Sequence, residues 1–195
     1  NHLGGGLFYH CSSLEKITLP SLDGGLYGLF DLSASGNSNS GYSAFRTVVL
    51  TNSCTEIPSN AFYGWSQLTS ITVPDSVTVI GDYSFYRCSG LALAPHIPLG
   101  VARIGSSAFS GCSGFKDTPA IPSGVTEIGS YAFNGCSGLT APFTLPATLL
   151  TIGDYAFSGC SAMGGRVIVP EGVTSIGKFA FAGCSKLQEV VLPDS

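Results

Sequence analysis

One dipeptide organises this chain. Ile-Gly returns every 24 residues and each time heads nearly the same segment: IGDYSFYRCSGL from Ile80, IGSSAFSGCSGF from Ile104, IGSYAFNGCSGL from Ile128, IGDYAFSGCSAM from Ile152 and IGKFAFAGCSKL from Ile176. Upstream, IPSNAFYGWSQL from Ile57 lies 23 residues before Ile80, and LGGGLFYHCSSL from Leu3 fits the same frame. A degraded unit from Leu26 carries an insertion at about 31–46. Eight units result, starting near 3, 26, 57, 80, 104, 128, 152 and 176, and the chain 1–195 reads as one repeat domain. A fixed period of this size marks stacked units, none of which can bury its apolar face alone.

Two residue columns run through the period. Phe8, Phe30, Phe62, Phe85, Phe109, Phe133, Phe157 and Phe181 supply one ring per unit. Cys11, Cys88, Cys112, Cys136, Cys160 and Cys184 occupy another column, with Trp65 in place of Cys in the third unit and Cys54 outside the register. These are the expected structural columns, stacked coil on coil.

Each unit divides into recognisable pieces. Lys16-Ile-Thr-Leu-Pro20, Ser70-Ile-Thr-Val-Pro74 and Arg166-Val-Ile-Val-Pro170 are β-rich and end at proline, which has no N–H to continue a ladder. A turn follows, then a second short extended piece such as Val173-Thr-Ser-Ile176. Gly177 punctuates, and Lys178-Phe-Ala-Phe-Ala predicts about one helical turn stopped by Gly183. Alternation along the Pro-ended strand sends Ile71 and Val73 inward and Ser70 and Thr72 outward.

The pattern Ile-Pro-x-x-Val-Thr-x-Ile-Gly-x-x-Ala-Phe-x-Gly-Cys-Ser-x-Leu, met at every defined position by Ile121 to Leu139, resembles the BspA-like leucine-rich repeat family. The likeness is close in about six of the eight units and poor in the Leu26 unit. It implies a leucine-rich-repeat solenoid: a right-handed, curved superhelix with short β-strands on its concave face and short helical turns and loops elsewhere. It also implies a secreted or bacterial surface location and a part in adhesion.

Composition narrows the function. Charged residues make up 10% of the chain, against about a quarter in ordinary domains, and the net charge is −4. Without a basic run there is no footprint for nucleic acid. No apolar stretch approaches the roughly 20 residues that span a bilayer, so no membrane insertion is expected within this chain. The first residue is Asn1, with no Met and no leader pattern, which reads as a mature form or an excised piece.

Constellations that carry chemistry are missing from the pattern. The cysteines lie too far apart in sequence for close-pair zinc spacing. Equivalent side chains in successive coils point the same way, which suits buried free thiols better than disulfides. The serines one place further on (Ser12, Ser66, Ser89, Ser113, Ser137, Ser161 and Ser185) read as turn residues rather than nucleophiles. His2, His10 and His96 are the only histidines, and no carboxylate is placed to orient His10 beside Cys11. The acids fall in turns (Asp75, Glu171, Asp194) or at helical starts (Asp82, Asp154). The insertion from Asp31 to Gly41 alternates oxygen side chains like a calcium loop, but Tyr42 stands where the closing Glu belongs. The reading is a non-enzyme without cofactor or metal.

What remains is the outward surface of the Pro-ended strands. One column is Thr18, Val49, Thr72, His96, Ala120, Thr144, Ile168 and Val191. Its neighbour is Lys16, Thr47, Ser70, Ala94, Thr118, Pro142, Arg166 and Glu189. Nearly uncharged and moderately apolar, this strip is the expected partner-binding face, with Ser70, Thr118 and Arg166 as contacts from the second column. The expected partner is a protein or a glycan. The alternative use of the same repeats is a scaffold that self-associates end to end into filaments.

Overall fold

The computed structural model describes residues 13–22 and 45–194. Over them the chain winds as a parallel β-solenoid. Six coils begin at Ile57, Ile80, Ile104, Ile128, Ile152 and Ile176, and two further strands precede them. Of the eight expected units, those from Leu3 and Leu26 are described only in part, by these two strands and the residues beside them. Phe8, Cys11, His2, His10 and Phe30 lie outside the described residues, as does the insertion except for Phe45 and Arg46.

Among the described residues, eleven short strands form three parallel sheets. The Pro-ended segments give β1 (Lys16–Leu19), β2 (Thr47–Leu50), β4 (Ser70–Thr72), β9 (Gly165–Ile168) and β11 (Leu187–Val191). The second extended pieces give β3 (Glu56–Ile57), β5 (Val79–Ile80), β6 (Arg103–Ile104), β7 (Glu127–Ile128), β8 (Thr151–Ile152) and β10 (Ser175–Ile176). These six pair in one unbroken sheet, in the order β10-β8-β7-β6-β5-β3. The ladder continues one residue past each strand, as in Gly105 N–H to Ile80 C=O at 3.1 Å and Gly153 N–H to Ile128 C=O at 2.8 Å.

The glycine after that strand sets how closely coils approach. A Cβ on Gly105 would lie 2.5 Å from the carbonyl carbon of Gly81, and one on Gly153 would lie 2.4 Å from the nitrogen of Ser130. Backbone occupies the space, so the position accepts no side chain.

The predicted helical turn is instead a ribbon of β-turns. Ala132 N–H bonds Gly129 C=O at 3.2 Å, Asn134 bonds Tyr131 at 3.0 Å and Cys136 bonds Phe133 at 3.2 Å, each three residues back. The intervening amides point to the next coil: Tyr131 to Asp154 at 2.8 Å, Phe133 to Ala156 at 2.7 Å and Gly135 to Ser158 at 2.7 Å. A helix would spend every amide within its own segment. Here half are spent on stacking, and left-handed residues four apart, such as Tyr131 (φ 60°) and Gly135 (φ 69°), keep the chain from coiling.

The interior is a file of phenyl rings. Phe62, Phe85, Phe109, Phe133, Phe157 and Phe181 stack with centroids 5.1, 5.2, 5.2, 5.6 and 5.3 Å apart and ring planes within 17° of parallel. Trp65 continues the packing at the other end, edge-on to Phe62 at 5.3 Å and stacked on Phe45 at 5.9 Å. Beside the rings run the thiols. Cys88, Cys112, Cys136, Cys160 and Cys184 are free and buried, and each Sγ donates to the Phe carbonyl of the preceding coil at 3.1–3.3 Å. Cys54 is buried off this column and donates to Glu56 C=O at 3.3 Å.

Candidate functional site

The Pro-ended face starts as a regular sheet. Lys16 and Thr18 align with Thr47 and Val49, and these with Ser70 and Thr72. Ile17, Leu19, Val48 and Leu50 point inward and are buried, which leaves the aligned residues facing out. At the far end, Arg166 and Ile168 align with Glu189 and Val191, after a register shift at Leu187 and Glu189.

Between these ends the expected strands do not form. The segments with His96, Ala120 and Thr144, and with Ala94, Thr118 and Pro142 in the neighbouring column, belong to no sheet. Each carries an additional proline ahead of the terminal one: Pro95 before Pro98, Pro119 before Pro122, Pro142 before Pro146. A proline offers no N–H to a ladder, and three interrupted coils in succession leave the sheet split. Inward packing nevertheless persists. Ile97, Ile121 and Leu145 remain buried, and Phe143 sits 4.7 Å from both Phe133 and Phe157.

Of the sixteen outward residues, Lys16, Thr18, Ser70, Thr72, His96, Ala120, Thr144, Arg166, Ile168 and Glu189 are exposed. Thr47, Val49, Ala94, Thr118, Pro142 and Val191 are half-buried. Charged residues on the face are few: Lys16, Arg166 and Glu189. Arg166 Nε meets Glu189 Oε2 at 3.1 Å, and His96 Nε2 meets Asp75 Oδ1 at 2.9 Å. The exposed surface is otherwise a strip of hydroxyls, methyls and backbone. Such a surface offers shape and hydrogen-bonding groups rather than net charge.

The unbroken sheet has a different character. Arg103 on β6 bridges three coils, with Nη1 3.0 Å from Asp82 Oδ1 and Nε 2.8 Å from Glu127 Oε1. The bond to Glu127, ahead of the other neighbours, holds the guanidinium pKa above its ordinary value. Asp82 also accepts the Ser106 amide at 2.7 Å, and Asp154 accepts the Lys178 amide at 2.7 Å, so both carboxylates tie one coil to the next. A shallow open groove of about 270 Å³ follows this side, floored by Gly129, Gly153 and Gly177 and edged by Ser130, Thr151 and Asp154.

A third surface escapes notice in the sequence. Tyr131, Tyr155 and Phe179 form a partly exposed stack with centroids 4.8 and 5.0 Å apart, every member in the left-handed region at φ 60°, 55° and 58°. Their common column in the period was the available signal, but a helical reading of the segment hides it. Nothing among these features assembles a nucleophile with a base. Among the described residues, no group of three or more His, Cys, Asp and Glu is placed to hold a metal ion, and no helix is long and apolar enough to cross a membrane.

The coil, the phenyl file and the Pro-ended face together define a leucine-rich-repeat solenoid. The chain belongs to the BspA type leucine rich repeat family, whose six-copy profile matches residues 36–163 and again 103–195. A leucine-rich repeat protein from Bacteroides ovatus ATCC 8483 is similar, with 30% identity and a TM-score of 0.72 over 92% of this chain and 46% of its own. The T. pallidum leucine-rich repeat protein has 27% identity and a TM-score of 0.69 over 89% of this chain and 78% of its own. A leucine-rich cell surface protein from Faecalibacterium prausnitzii A2-165 has 28% identity and a TM-score of 0.54 over 94% and 55%. The chain thus spans about half the length of the first and third of these proteins. No curated protein matches it. Membership makes the chain a repeat module of the protein-interaction kind, in a family that serves in general as a non-catalytic binding scaffold.

Proposed function

We propose that the chain is an extracellular or cell-surface recognition module that binds a protein or glycan partner across its Pro-ended face. Thr18, Val49, Thr72, His96, Ala120, Thr144, Ile168 and Val191 form the central contacts, with Ser70, Thr118 and Arg166 beside them. One observation carries this reading: the face is exposed at ten of its sixteen positions and carries few charges, of which Arg166 and Glu189 meet each other. The name of the F. prausnitzii neighbour, a cell surface protein, supports the location. In the same proposal residues 1–195 form one solenoid.

The test replaces Thr72, His96 and Thr144 together by Glu, all three being exposed. Binding is measured against immobilised extracellular-matrix and mucin fractions. Loss of capture with an unchanged circular-dichroism melt supports the face. Capture equal to that of the parent protein overturns it.

A further inference from the structure

The geometry points to a built-in bending segment: the three coils interrupted by Pro95, Pro119 and Pro142 let the solenoid flex about its unbroken six-stranded sheet, opening and closing the Pro-ended face. The contrast between the two sides carries this. On the sheet side every boundary from the Ile57 coil to the Ile176 coil is laddered, and the turn ribbon adds further backbone bonds at the same boundaries, among them Phe85 N–H to Ala108 C=O at 2.7 Å and Phe109 N–H to Ala132 C=O at 2.8 Å. Arg103 adds ties across three coils there.

On the Pro-ended side, β1 and β2 share four aligned pairs, β2 and β4 three, and β9 and β11 four. In between, no backbone bond joins residues 95–98, 119–122 and 143–146 to one another. Of the ties that remain, one joins His96, in mid-segment, to Asp75 of the preceding coil at 2.9 Å, and the others sit at the start of each segment, two of them through side chains. Ala94 N–H donates to Asp117 Oδ1 at 2.9 Å, and Thr118 Oγ1 donates to Ala141 C=O at 2.7 Å. The backbone contributes Lys116 N–H to Ala92 C=O at 2.9 Å and Gly164 N–H to Thr140 C=O at 3.1 Å.

Apolar packing beneath the gap is continuous, but it is non-directional and tolerates small changes of angle that a hydrogen-bond ladder resists. A structure laddered along one side and only packed along the other bends toward and away from the unladdered side. Prolines at the third or fourth place before the terminal Pro are the cause. In the flanking coils those places hold Ile71 and Ser70, or Val167 and Arg166, and the ladder forms. A face of adjustable curvature would suit partners of differing shape, although the bending itself does not depend on the face being a binding site.

Paired spin labels on ketone-bearing residues test the inference in the whole chain. One pair at Thr18 and Ile168 spans the gap, roughly 29 Å apart at strand spacing. A second pair at Glu56 and Ser175 lies on the continuous sheet. Electron–electron distance distributions are recorded for the parent and for the triple variant Pro95→Val, Pro119→Val, Pro142→Ser, whose ladder is followed by amide exchange at 94–97, 118–121 and 142–145. Bending predicts a broad Thr18–Ile168 distribution and a narrow Glu56–Ser175 one in the parent. The variant should gain amide protection and narrow the first distribution towards the second. A parent distribution as narrow across the gap as along the sheet overturns the inference, even if the variant fails to fold. A folded variant whose amides stay unprotected, or whose distribution keeps its width after they gain protection, overturns proline as the cause.

Discussion

Raising the pH should unwind this solenoid through its thiols. Cys88, Cys112 and Cys136 lie in the interior, and burial pushes their pKa values up, that of Cys112 to about 12, with the Cys112 thiol adding to the rise at Cys88 and Cys136. In the unfolded chain each titrates near 8.5. The folded form therefore keeps protons that the unfolded form releases, so stability is complete below the unfolded value and falls as pH rises towards the folded one. The slope is about 1.4 kcal/mol per pH unit for each thiol. At pH 10 this amounts to about 2 kcal/mol per thiol and about 6 kcal/mol for the three, within the roughly 5–15 kcal/mol that holds a typical domain together. Urea unfolding in reductant, at half-unit steps from pH 6 to 10.5, reads the effect. The midpoint should be flat to about pH 8 and then fall steeply. Cys136→Ala should unfold more easily at pH 7 yet lose about 1.4 kcal/mol less per pH unit above pH 9. Equal slopes for parent and variant would refute the reasoning, because the Cys136 thiol would then ionise as readily inside the fold as outside it.

Two further substitutions probe the stacking itself. Gly153→Ala drives a methyl to within 2.4 Å of the Ser130 nitrogen and should cost about 3 kcal/mol or more, whereas Gly172→Ala, with no atom nearer than 3.4 Å, should stay within about 1 kcal/mol of the parent in the same unfolding assay. Ser84 stands where other coils have Ala, and its hydroxyl is buried without a hydrogen-bond partner. Ser84→Ala should therefore raise stability by about 1 kcal/mol, seen as a higher melting temperature, and a lower one would mean that the hydroxyl has a partner.

The winding was legible because it depends on identity at fixed intervals. Any residue that must stack on its own kind, as Phe109 does on Phe85 and Phe133, leaves a column that spacing reveals. Local conformation was harder to read. Lys178-Phe-Ala-Phe-Ala has the composition of a helical turn, and only the left-handed residues recurring at Tyr131, Tyr155 and Phe179 show that the amides are shared between coils. Nothing in the propensity of Tyr or Phe announces that conformation, which is costly for a bulky side chain and is imposed by the coils on either side. The split in the Pro-ended sheet had its signal in plain view at Pro95, Pro119 and Pro142. Pattern alignment favours the shared terminal proline and passes over the extra one, and so places His96, Ala120 and Thr144 on strands.

Side-chain bonds between coils span 21 to 27 residues, so each coil negotiates with its immediate neighbours alone. Length in such a molecule is counted in whole turns of the winding. Cutting out residues 104–127 would splice two compatible joints, because Ile128-Gly129 meets the chain after Arg103 as Ile104-Gly105 did. Removing a dozen residues would leave half a turn with nothing to rest on. Gain and loss of material by the full period, and by no smaller unit, is the mode of change this architecture permits.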